Sequence, residues 1–163
     1  MYEPSSAIKG KQAVFEAHPD NAAVKALADL ATDAKFDRNE LTITVARESI
    51  VAACEAVKQA DYNFFEDVTA VDWYPSEPRF QITYHILSIP RKERVRLVVR
   101  LDSDLASLDS ITTVWPAANF YEREIFDLFG VHFGGHPNLR RIMMPEDWKG
   151  HPLRKDYPVE GYR

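Results

Sequence analysis

Phe80-Gln81-Ile82-Thr83-Tyr84-His85-Ile86-Leu87-Ser88, followed after a break at Pro90 by Val95-Arg96-Leu97-Val98-Val99-Arg100-Leu101, decides the fold. Successive side chains of a strand point to opposite faces. Phe80, Ile82, Tyr84 and Ile86 therefore line one face, and Gln81, Thr83, His85 and Leu87 the other. Val95, Leu97, Val99 and Leu101 repeat the alternation, with Arg94, Arg96 and Arg100 opposite. The connection carrying Arg91 and Lys92 is short, which predicts antiparallel neighbours. The arginine row reads as a docking stripe or as a solvated sheet face.

Outward from this pair, Phe64 to Trp73 contains a further strand that ends at the Pro75–Pro78 turn. Leu41, Ile43 and Val45 alternate with Thr42 and Thr44, another strand signal. Between them Ile50, Val51, Cys54 and Val57 recur at helical spacing, predicting a helix over about 47–60 with Cys54 turned to the core. Asp20 as cap and Ala23, Leu27 and Leu30 as a stripe predict an earlier helix over about 20–32. Residues 1–18 show no clear period and read as a loose lead-in. A third helix is predicted from Pro116, at the first-turn position proline tolerates, to Phe129, with Gly130 as terminator. The order describes an α+β domain over 19–133, a mainly antiparallel sheet with helices packed on one face.

With 163 residues, 45% apolar and 28% charged, the chain is sized for one domain that buries a core without metal or disulfide. No apolar run approaches the ~18 residues of a membrane-spanning helix. Met1 to Lys11 lacks the order of a secretory signal. A single cysteine, Cys54, excludes an internal disulfide and a cluster held by this chain's thiolates alone, and suits a reducing compartment. The net charge of −5 argues against a general nucleic-acid binder. It is unevenly spread. From Gly134 onward six basic residues face four acidic ones, giving +2 and leaving −7 on the first 133 residues.

The composition also changes there. Five of the six glycines and four of the ten prolines lie between Gly130 and Arg163, and no long periodic segment remains. Yet Leu139, Ile142, Met143, Met144, Trp148, Leu153, Tyr157 and Tyr162 set this stretch apart from a disordered linker. An extended tail over 134–163 with that many anchors needs a surface, on its own domain or on another chain.

The densest polar cluster is Glu122-Arg123-Glu124 with Asp127. Arg123 and Asp127 are four apart, so they share a helix face and are expected to pair. The same helix carries Phe120, Tyr121, Ile125, Phe126, Leu128 and Phe129 over more than one face. A helix so apolar is enclosed on most sides, and its charges need partners in the tail or on a neighbouring subunit. An acid–base carboxylate pair and an exposed ion pair are the other readings of the cluster. His132, His136 and His151 could be read as metal ligands, but their spacing fits no compact template, and His136 and His151 each precede proline. No GxGxxG, GxxxxGK[ST], GxSxG, HExxH or paired CxxC occurs. From residues alone this is a binding subunit more than an enzyme.

Glu122-Arg123-Glu124-Ile125-Phe126-Asp127-Leu128-Phe129-Gly130, then His136-Pro137-Asn138-Leu139-Arg140-Arg141-Ile142-Met143, then Pro145 through Pro158, closely resembles the C-subunit family of the proton-pumping NADH–quinone oxidoreductase, respiratory complex I. Asp67 to Asp72, Tyr84 to Ser88 and Trp115 to Asn119 resemble it too, so the likeness spans roughly 20–160. The resemblance implies a subunit without bound cofactor, in the peripheral arm on the cytoplasmic side of the plasma membrane. It implies docking on the large quinone-site subunit, the D-subunit, with flavin, iron–sulfur clusters and quinone on partner subunits. Some relatives fuse the C- and D-subunits into one chain; ending at Arg163, this chain resembles the unfused form.

On that reading Glu122, Arg123, Asp127, His136, His151 and Asp156 belong to the partner interface. Met143, Met144, Trp148 and Tyr157 would be its apolar anchors, and Arg140, Arg141, Arg154 and Lys155 would meet carboxylates. Rival expectations are the equivalent subunit of a membrane-bound energy-converting hydrogenase, an independent metal-dependent enzyme using the three histidines, and a lone adaptor that binds peptides at its sheet edge.

Overall fold

The fold is given by a computed structural model that describes residues 7–162. The three central strands form as their alternation demands: β4 (Phe64–Asp72), β5 (Phe80–Ser88) and β6 (Glu93–Leu101) make an antiparallel meander. Phe80, Ile82, Tyr84 and Ile86 are buried, with Val95, Leu97, Val99 and Leu101 beside them. Helix α3 (Ile50–Gln59) sets Ile50, Ala53, Cys54 and Val57 into the same core, and α4 (Ala118–Phe129) adds Ala118 and Ile125. The arginine row lies on the other side. Arg94 pairs with Glu66 at 3.6 Å, Arg96 pairs with Glu40, and Arg100 stacks over Trp73. This is the solvated, ion-paired sheet face.

The N-terminal third differs from its sequence reading. The helix expected over 20–32 is short, α2 at Ala22–Ala26, and Asn21 caps it in place of Asp20, accepting from the Ala23 and Val24 N–H groups. Ala31–Asp37 is a strand, β2, which forms a hairpin with β3 (Glu40–Val45). The two-residue loop is Arg38-Asn39, both at positive φ, as the primed turns that suit strand twist require. β2 holds Asp33, Ala34 and Lys35, poor strand formers; pairing with β3 overrides their propensity. Within the lead-in, Ile8–Lys9 adds an edge strand, β1, and Lys11–Ala17 forms α1, burying Val14. Residues 1–6 of the lead-in, and Arg163 at the tail's end, lie outside the described residues.

The six-stranded order is β1-β2-β3-β6-β5-β4. The hairpin joins the meander through a parallel contact in which Leu41 faces Val95 and Ile43 faces Leu97. A small parallel pair, β7 (Ser107–Asp109) with β8 (His132–Gly134), brackets α4.

Cys54 is fully buried, and burial, reinforced by Glu122 and Glu55, pushes its thiol up. It is expected to stay silent to thiol reagents in the folded chain and to react on denaturation. Stoichiometric labelling of the native chain within minutes would contradict this placement.

Candidate functional site

The tail beyond β8 lies on α4 and on the adjoining ends of β4 and β5, held by two polar hubs. Asp127 is the first. It is fully buried, and its Oδ2 accepts backbone N–H groups from Ile142, Met143 and Met144 at 3.0, 2.8 and 2.8 Å. Its Oδ1 accepts from Arg141 Nη1 at 2.6 Å. Burial alone would raise this carboxyl, but the N–H groups and Arg141 hold it below its ordinary value. Arg141 also donates to the carbonyls of Trp148 and Gly150, so one guanidinium ties α4 to two points of the tail.

The expected Arg123–Asp127 pair does not form. Arg123 donates Nε and Nη2 to the carbonyls of Arg140 and Arg141, both at 3.1 Å. Asp127 takes Arg141 in its place. The reason is enclosure: both α4 charges are buried against the tail, where its backbone groups take them up in place of each other.

The end of α4 is closed by His151 and Arg154. His151 Nδ1 lies 2.9 Å from the Asp127 carbonyl, and Arg154 Nε donates to the Phe129 carbonyl at 2.5 Å, a cation on the helix's last carbonyls. Burial, together with Arg154 and Arg141, lowers the His151 imidazole. Gly130 ends the helix at φ 73°, and a Cβ there would come within 2.5 Å of the His151 ring. The terminator read in the sequence thus also makes room for the tail.

Arg79 is the second hub, one that sequence reasoning missed. It is buried and forks onto Asp72 with Nε at 2.9 Å and Nη2 at 2.8 Å. It forks again onto Asp156 of the tail, at 3.0 and 2.6 Å. Its plane lies near the rings of Tyr74 and Phe80. Asp72 further accepts the Lys155 N–H at 2.8 Å. Burial pushes Asp72 up, but Arg79 and the Lys155 and Tyr74 N–H groups outweigh it and set the carboxyl at about 2. The available signal was the placement of two opposite charges at matched ends of apolar strands, since Asp72 faces Phe80 beside Arg79.

The remaining predicted residues fall in two groups. Glu122 is buried and accepts from Ser110 Oγ at 2.6 Å and from the Ile111 N–H at 2.8 Å. His136 lies between the Asn119 carbonyl and the Asn138 N–H. Tyr157 donates to the Lys149 carbonyl and packs edge-on with Tyr162. Met143, Trp148, Arg140 and the Lys155 side chain are exposed and Met144 half-exposed. Arg141 and Arg154, expected to meet carboxylates of a partner, are therefore committed within this chain. His132, His136 and His151 serve no common centre; among the described residues, no group of three or more His, Cys, Asp or Glu side chains is gathered for a metal.

Arg141, His151, Arg154 and Asp156 of the tail thus turn onto the chain itself, while several of its apolar side chains stay exposed. Met143 and Phe120 are each 63% exposed, and Trp73, Tyr74, Tyr121, Ile142, Trp148 and Leu153 are exposed as well. Large apolar side chains left exposed on an internally clasped frame are in character with a subunit of a larger assembly. The model of the respiratory-chain NADH dehydrogenase 30 Kd subunit matches residues 43–163, and the chain belongs to that family. A relative from Geobacter sulfurreducens, the C-subunit of an NADH-quinone oxidoreductase, is 50% identical over 131 residues, 79% of this chain and 81% of that one. Its counterpart from Roseiflexus sp. (strain RS-1) is 43% identical over 86% of this chain and 85% of its own.

Two solved structures share the fold. A trypsin-resistant fragment (1-134) of Nqo5 is 31% identical with a TM-score of 0.58, covering 61% of this chain and 83% of that one. A chain of the membrane-bound sulfane sulfur reductase, an archaeal respiratory membrane complex, is 27% identical with a TM-score of 0.73, covering 83% and 82%. No helix among the described residues is long and apolar enough to cross a membrane.

Proposed function

We propose that this chain is the cofactor-free peripheral-arm subunit of an NADH–quinone oxidoreductase, docked through its clasped tail on the large quinone-site D-subunit. The observation that carries the reading is the tail's partition: Arg141, His151, Arg154 and Asp156 are committed to α4 and the sheet, while Ile142, Met143, Trp148 and Leu153 stay exposed for another chain. The work is mechanical. Electrons pass from NADH to quinone on partner subunits that hold flavin, iron–sulfur clusters and quinone, coupled to proton translocation. This chain holds those partners in register, on the cytoplasmic side of the plasma membrane. Its donor set supports that division, since its single thiol is buried and raised and the three histidines in question lie apart.

Phe120, Met143 and Trp148 are the expected anchors, being large, exposed and presented from a fixed frame. Changing any one to aspartate is expected to weaken docking at least tenfold while the isolated chain melts within about 2 °C of the parent, since surface changes usually cost under ~0.5 kcal/mol. The measurement is recovery of the large quinone-site partner with the tagged chain from membranes, together with the melting curve. Recovery unchanged by all three substitutions would sink the reading. In the same preparations trypsin is expected to cut among Arg140, Lys149 and Lys155 in the free chain and to be blocked in the complex.

The sulfane sulfur reductase likeness favours a second reading, the equivalent subunit of a different membrane complex such as an energy-converting hydrogenase. Co-purification of the chain with hydrogenase subunits, without the NADH-oxidising module, would select it.

A further inference from the structure

Neither hub of the clasp uses Glu122. Its carboxylate is buried on α4 beside the root of the tail, and among the described residues no lysine or arginine lies within ion-pair distance. The groups that face it come from every element around it. Ser110 and the Ile111 N–H donate from the segment after β7. Cys54 on α3 and Tyr84 on β5 act on the core side, and the buried Tyr84 hydroxyl has no hydrogen-bond partner among the described residues. His136 covers the outer side, its Nε2 3.9 Å from the carboxylate and its own side chain fully buried. That ring already has both nitrogens in use. Nε2 donates to the Asn119 carbonyl at 3.1 Å, and Nδ1 accepts the Asn138 N–H at 3.0 Å. The ring is thus held by backbone groups on both sides and not by the carboxylate.

We propose that Glu122, lidded by His136, is a one-proton binding site whose occupancy sets how tightly the tail root is held on α4. With the proton bound, the carboxyl is neutral and suits its dry surroundings. With the proton gone, a carboxylate is left in the interior with no lysine or arginine beside it among the described residues, and the direct relief is for His136 and residues 136–144 to swing away and admit water. Burial pushes Glu122 up to about 7, against the pull of Ser110 and the Ile111 N–H, so occupancy changes in the neutral range.

The sign follows from linkage. The closed form holds the proton more tightly than an open form whose carboxyl has regained its ordinary 4.5. Closure is therefore favoured in acid, and opening eases as pH rises, by roughly tenfold between pH 6 and 8.5. The inference concerns the chain alone and stands apart from the identity of its partner.

The test is amide exchange of residues 136–144, corrected for intrinsic rates and referred to amides of β5 and β6, at pH 6 and 8.5. In the parent chain tail-root opening is expected to rise roughly tenfold over that interval, with the sheet unchanged. Glu122→Gln, with no proton to lose, is expected to hold the root closed at both pH values. His136→Ala removes the lid, opening the root at both and returning the Glu122 carboxyl, followed by carbon-13 NMR, toward its ordinary titration. A flat profile in the parent overturns the proposal, as does a rise shared equally by the sheet or a pH dependence that survives Glu122→Gln. Should the glutamine chain fail to fold, the parent's carboxyl titration and its shift in His136→Ala decide the matter.

Discussion

Asp127→Ala is expected to free the tail from α4 while the sheet stays folded. One buried carboxylate satisfies three consecutive N–H groups and one face of Arg141. Alanine leaves the three N–H groups without an acceptor in a closed site and takes from Arg141 its carboxylate, leaving it backbone carbonyls alone; removing one member of a buried charged set costs about 3–5 kcal/mol. That corresponds to a rise in tail opening of roughly a hundredfold or more. Amide exchange over residues 138–156 is the measurement, with β5 amides as the internal standard. Unaltered tail protection would show that the hub holds nothing. Asparagine keeps an acceptor oxygen and loses the charge, so Asp127→Asn should fall between. Because this carboxyl is lowered from 3.8, its contribution is present above about that pH and fades as acid protonates it.

Arg79→Ala is the second large effect, and it strikes the sheet as well as the tail. Arg79 spans Asp72 at the end of β4 and Asp156 in the tail, and both lose their cation together. Asp72, nearly fully buried, is then a carboxylate held by N–H groups alone. A cost of about 3–5 kcal/mol is expected, or a fall in melting temperature of about 10 °C for a chain of this size. Arg79→Lys should rescue little, since an ammonium cannot fork onto two carboxylates. Arg79→Ala with Asp72→Asn should lose less than the two single changes summed, by more than about 1 kcal/mol, if the two act as a pair. Simple additivity would separate them.

The pH profile gives an independent check. Asp72 at about 2, down from 3.8, supplies about 2–3 kcal/mol that is present above pH ~4 and is lost as the pH falls toward 2. Arg79→Ala should flatten that acid limb.

The sequence was legible where one physical rule acted alone. Alternation in 80–88 and 93–101 placed β5 and β6 on the correct faces, and the stripe from Ile50 to Val57 gave α3. It failed where a distant partner decided the conformation. Ala31 to Asp37 has little strand preference of its own and becomes a strand because β3 offers an edge. The clasp shows the same division. The α4 charges announced that they were enclosed, through the apolar residues around them. Which partners they would meet depended on tail atoms 14–18 positions away, which no local spacing reports. Arg79 stayed hidden because its partner in the tail lies 77 positions downstream.

The parallel seam between β3 and β6 bears on how a nascent chain matures. Leu41 pairs with Val95, so one edge of the early hairpin stays unmatched until more than fifty further residues have been added. At about 5–20 residues per second that wait lasts several seconds, during which a ribosome-associated chaperone has an apolar strand to shield. Synthesis then imposes a sequence of events: meander, seam, α4, clasp, and only afterward an exposed face ready to be met.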